Sequence, residues 1–260
     1  MSSAARVLNE PYREANYDPF EDDMGEDSLQ RFISEQLRPL IEARVAEQHG
    51  PTFVGADQYV GWDPDDGEKV LAPDVYVLPG VAPGEDFSFW KVWQTGIVPS
   101  FALEIVSKRK KKDYTEVPPL YGELGVEELV VFDPRFKRRR REGFRFQVYR
   151  NVARKGFVRV EATVDDRVRS KVLGAWIRSV GEGKAQRLRL AADPSGDALL
   201  PTATEVQIQR RKKAEAEREK AEAEREKAEA EREKEKAARE QAEAEIARLR
   251  AELAGRDRTR

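Results

Sequence analysis

From about Ala214 onward the chain is written almost entirely in Ala, Glu, Lys and Arg, and that break limits where a core can form. All four Trp and every Phe and Tyr precede it. A core needs large apolar side chains, so it must be assembled from the first two hundred residues or so, which suffice for one sizeable core. The segment AEAEREK occurs at 214–220, 221–227 and 228–234. These are strong helix formers, and their charges sit at i,i+3 and i,i+4 spacing, so a nearly continuous helix is predicted from about Glu205 to Leu253. Only Ala242, Ile246, Leu249 and Leu253 form a 4-3-4 apolar stripe. Two readings stay open: a coiled coil that pairs near its end, or a solvated spacer.

The remaining composition removes several function classes. There is no cysteine, so disulfides and thiolate chemistry are excluded, and His49 is the only histidine, which leaves no ligand set for zinc. Neither a P-loop nor a glycine-rich dinucleotide fingerprint is present. The first 27 residues read as a mobile acidic arm with no apolar signal segment, and no run approaches the roughly 20 apolar residues of a membrane span. A cytoplasmic location without membrane contact is the expectation. The net charge of −2 conceals blocks of both signs, with 37% of residues charged.

Between arm and tail the pattern is α/β. Leu29, Phe32, Ile33, Leu37, Leu40 and Ile41 recur at helical spacing, predicting a helix over 28–48 that Pro39 interrupts or kinks. Strands are predicted at 52–60, 74–78, 101–106 and 128–132, with a helical pattern over 113–124. Strand, helix and strand at that spacing form a βαβ unit, so 101–106 and 128–132 should be parallel. Antiparallel strands follow near 143–150 and 156–164, and residues 169–180 and 185–190 close the core. The expected domains are a body over 28–204 and a charged helical tail over 205–260.

Two acids stand in otherwise apolar strands. Asp74 opens VYVL, and Glu104 lies between Leu103 and Ile105. A carboxylate inside a packed strand is costly unless it is paired or bound to a cation. If strands 74–78 and 101–106 run antiparallel, the two acids meet, and two hard oxygen ligands could hold Mg²⁺ or Mn²⁺. Two basic runs follow the parallel strands: Lys108-Arg109-Lys110-Lys111-Lys112 and Lys137-Arg138-Arg139-Arg140-Arg141. On one rim of a sheet they would make a phosphate-binding surface for DNA.

The segments APDVYVLPG, PSFALEIVS and D-x₇-Y-x₂-LGVEELVVFDP resemble the Uma-two family of restriction-endonuclease-like proteins, within the PD-(D/E)xK nuclease superfamily. The resemblance spans roughly residues 28–200. It implies a restriction-endonuclease-like mixed sheet with flanking helices and a metal-dependent DNA endonuclease, with Asp74 and Glu104 as catalytic metal ligands. It also implies a lysine that assists the attacking water. The position two after Glu104 is Val106, and the position four after Asp113 is Val117, which leaves Lys108 and Lys112 as candidates for that amine. The alternative is a catalytically inactive nuclease-fold scaffold that binds DNA or protein, its tail mediating association with a second copy or a partner protein.

Overall fold

The computed structural model describes residues 28–107, 112–136 and 143–257. The first element is helix α1 (Ser28–His49), whose inward residues Ile33, Leu37, Leu40, Ile41 and Val45 are all buried. Pro39 lies inside it on the exposed side, where the carbonyl left without an amide donor can be solvated. The strand expected over 52–60 is divided into β1 (Thr52–Gly55) and β2 (Tyr59–Gly61). The division falls at Asp57, whose φ of 55° turns the chain out of the sheet. Then come β3 (Val70–Leu71), β4 (Val75–Pro79), β5 (Phe89–Lys91), a single helical turn and β6 (Phe101–Ile105).

A five-residue π-helical segment (Lys112–Glu116) leads into helix α2 (Val117–Leu124), which starts with prolines in its first turn and ends at Gly125, in the left-handed region. β7 (Glu128–Phe132), β8 (Phe146–Val152) and β9 (Gly156–Thr163) follow. Residues 169–180 and 185–190, expected as small closing elements, belong to three strands: β10 (Arg167–Ser170), β11 (Ala175–Val180) and β12 (Arg187–Ala191).

The main sheet has the order β1-β4-β6-β7-β8-β9. β4 pairs antiparallel with both β1 and β6, and β6 pairs parallel with β7 across the α2 crossover. This is a mixed α/β sheet with flanking helices, as the resemblance implies, in which a helix, an antiparallel meander, a crossover helix and a parallel strand follow one another. Side chains alternate between two apolar clusters, as a strand buried on both faces requires. On one face, Val75, Val77, Phe101, Leu103 and Ile105 pack with α1 and with inward residues of the β10-β11-β12 sheet. On the other, Tyr76, Leu78, Ala102 and Val106 pack with α2, while Trp62 and Trp90 lie against the same cluster.

β1 ends where the ring of Tyr76 lies over the backbone. A Cβ built on Gly55 would collide with that ring, so only glycine fits. The ring is tethered, because its hydroxyl donates to Gln58 Oε1 at 2.8 Å and the Gln58 amide donates to the Phe87 carbonyl at 2.7 Å. Gly55→Ala is expected to cost about 1–3 kcal/mol through overpacking, seen as a lower urea midpoint at constant slope. An unchanged midpoint would show that the ring has room to withdraw.

The chain divides into two units between Thr202 and Ala203. The second consists of helix α3 (Ala203–Asp257), 55 residues long and hence roughly 80 Å at 1.5 Å per residue. Its described side chains from Gln207 to Arg248 are exposed. Pairs such as Arg211–Glu215 at 2.9 Å and Arg239–Glu243 at 3.0 Å brace it at i,i+4. Each is worth only a few tenths of a kcal/mol. Ile246 is half exposed, and the side chains of Leu249 and Leu253 lie outside the described residues. No described helix is long and apolar enough to cross a membrane.

Candidate active site

β4 and β6 bring the two acids together. Val75 faces Leu103 in their antiparallel register, and Asp74, just before β4, and Glu104 are the next residues on the two segments. Alternation along β6 puts Glu104 on the face that carries Ala102 and Val106, and the charges of both acids act on the Tyr121 hydroxyl, which lies in that cluster. Facing residues such as Val75 and Leu103 have Cβ atoms roughly 4.5–5.5 Å apart. Asp74 is buried, and its Oδ2 accepts the backbone N–H of Ile105 at 2.5 Å. The N–H next in sequence to Glu104 is thus held by the Asp74 carboxylate.

Helices on both sides of the sheet supply two further groups. From α1, the buried Gln30 donates its amide to the Ile105 carbonyl at 2.6 Å. From α2, the fully buried Tyr121 donates its hydroxyl to Glu104 Oε1. Burial first, then the charge of Glu104 and the hydrogen bond to it, and last the charge of Asp74, push the Tyr121 hydroxyl well above its usual range. It is therefore a neutral donor at ordinary pH. Sequence reasoning assigned no role to either residue. Gln30 carries a readable signal, a polar side chain three residues before Ile33 on the apolar stripe of α1. Tyr121 is the tyrosine of the D-x₇-Y segment, to which the resemblance attached no role.

The two positions at which the resemblance implied a lysine are apolar in their surroundings as well as in their identity. Val106 is fully buried and Val117 nearly so, both within the cluster that contains Tyr121. Lys108 lies outside the described residues, as does the side chain of Lys112, whose backbone opens the π-helical segment.

Both basic runs leave from neighbouring strand ends. Ile105 and Phe132 are register partners at the ends of the parallel pair. Arg135 ties the ends together by donating to the Val106 carbonyl at 3.2 Å. Asp133 accepts the Tyr114 hydroxyl at 2.7 Å and the Arg135 N–H at 2.8 Å. The runs themselves, Lys108–Lys111 and Lys137–Arg141, lie outside the described residues. Arg135 also lines a cleft of about 920 Å³, with Arg145, Lys184, Ser179 and Gln186 among others, and neither acid lines it.

Among the described residues no three acidic, histidine or cysteine side chains are grouped so as to hold a metal. A pair of carboxylates is nevertheless the donor set that suits Mg²⁺, which takes one or two protein carboxylates and fills its octahedron with water and phosphate oxygens. The residues present fit such an ion.

No curated protein matches the chain. A solved structure from Anabaena variabilis, described as "a putative nuclease belonging to DUF820", is 14% identical, with a TM-score of 0.39 over 57% of this chain and 75% of that one. The model of the Uma2 family, described as "Putative restriction endonuclease", matches residues 24–178, a span that contains α1, both acids, Tyr121 and the whole main sheet. With more than half of its length matched, the chain belongs to the Uma2 family.

Proposed function

We propose that the protein is a metal-dependent DNA endonuclease whose centre is the Asp74–Glu104 pair. The observation that carries this reading is two acids next to the facing pair Val75 and Leu103, with the backbone of Ile105, beside Glu104, fixed by Asp74 and Gln30. Asp74 and Glu104 would hold Mg²⁺ or Mn²⁺, and such an ion activates water and stabilises the charge of an in-line phosphoryl displacement. The work left to the chain is positioning and proton transfer. Asp74 and Gln30 set the backbone of Ile105, and Tyr121 bonds Glu104. Proton transfer at the attacking water falls to Lys108 or Lys112, since Val106 and Val117 offer no amine. The direct test is nicking of supercoiled plasmid by the full chain with Mg²⁺ or Mn²⁺ and without either.

The buried valines favour a second reading, in which the fold binds DNA or a protein without cutting and the helical tail associates with a second copy or a partner. Substrate binding belongs in both readings to the basic runs. Neutralising 108–112 or 137–141 is expected to weaken binding to any duplex and to lower the salt slope by about 0.9 for each phosphate no longer neutralised. Unchanged affinity and slope for both replacements would rule out the rim as a phosphate surface.

A further inference from the structure

We infer that Tyr121 is the positioning residue of the acid pair, acting through Glu104. The placement of its hydroxyl is set by how α2 docks. Val117, Tyr121 and Leu124 are buried on its inner side. Next to Tyr121, Gly122 sits so close to β9 that an added Cβ would stand 2.8 Å from the Phe157 Cβ. The helix therefore has little freedom to slide, and the ring above Glu104 is held with it. Fully buried, the Tyr121 hydroxyl donates to Glu104 Oε1. Its bond to Glu104 selects one side-chain rotamer on the face that carries Ala102 and Val106. The helix that carries valine at 117 thus reaches the acid pair through a hydroxyl one turn later.

The effect on a metal rests on the proposed metal site, whereas the positioning of Glu104 does not, and the experiment separates the two. Binding of Mn²⁺ alone to the full chain is measured calorimetrically for wild type, Tyr121→Phe, Glu104→Gln and the double variant. Groups that orient a metal ligand are worth about 10–100-fold in affinity. Tyr121→Phe should keep the wild-type circular dichroism and weaken Mn²⁺ about tenfold or more, with no further loss when it is added to Glu104→Gln. Wild-type affinity in Tyr121→Phe overturns the inference. A wild type that binds no Mn²⁺ overturns the metal-site reading instead.

Tyr121 is then judged from its hydroxyl proton, which also decides the matter if Tyr121→Phe fails to fold. Buried and bonded to a carboxylate, that proton should give a slowly exchanging downfield resonance that shifts in Glu104→Gln. A missing resonance, or one indifferent to Glu104→Gln, overturns the inference.

Discussion

Glu128→Ala is expected to destabilise the body by about 3–5 kcal/mol, the cost of breaking a buried ion pair from one side. Glu128 opens β7 with its side chain fully buried, and Arg150, 16% exposed, donates to it at 2.6 Å. The Ser170 hydroxyl and the Lys171 N–H, at 3.0 Å, donate to the same carboxylate. Arg150 also donates to the Arg169 carbonyl at 2.9 Å, so the group joins the main sheet to the β10-β11-β12 sheet. Truncation strands the guanidinium and the other donors at once. The urea midpoint should fall at constant slope, with a melting temperature lower by on the order of 10 °C. A loss below about 1 kcal/mol would mean that water reaches the pair and that it behaves as a surface bridge.

None of that cluster could be read from the chain. Glu128 looks like an ordinary strand start, because its partners lie 22 and 42 positions away and no local pattern links them. The main strands were legible for the opposite reason. Val75 to Leu78 and Leu129 to Phe132 are apolar runs buried on both faces, as is Phe101 to Ile105 but for Glu104, all bounded by turn residues. The parallel pairing followed from the length of the α2 crossover. What periodicity could not show was the break at Asp57, where a left-handed φ divides one expected strand between two sheets.

The candidate site was legible in part. Asp74 and Glu104 stood out because acids are costly in apolar strands, and the antiparallel register that unites them was the simplest pairing of neighbours. The contacts of Gln30 and Tyr121 stayed hidden, since each reaches the candidate site from a different layer of the fold. For the tail, composition was enough. Its helix runs from Ala203 to Asp257, slightly beyond the limits set by the sequence, because Ala, Glu, Lys and Arg need no packing to favour helix.

Asp74→Asn and Glu104→Gln are each expected to lower cleavage about a thousandfold or more. A divalent cation supplies several kcal/mol of charge stabilisation, and about 1.4 kcal/mol corresponds to a factor of ten. The same variants report on the ion without catalysis. Mg²⁺ at about 100 times its dissociation constant should stabilise the wild type by about 2.7 kcal/mol, and neither variant should respond. Without metal, the variants should melt at or above the wild-type temperature, because two neighbouring carboxylates repel and each substitution removes one charge. A wild type that neither cuts DNA nor responds to Mg²⁺ or Mn²⁺, while both variants keep full DNA binding, would establish the scaffold reading.

The central claim is that Asp74 and Glu104 hold a divalent cation together. Anomalous diffraction from crystals of the full chain grown with Mn²⁺ tests it most directly. One strong peak is expected between the two carboxylates, with an oxygen of each at roughly 2.1 Å. A map at saturating Mn²⁺ with no peak there, or with the ion held by other residues, would contradict it.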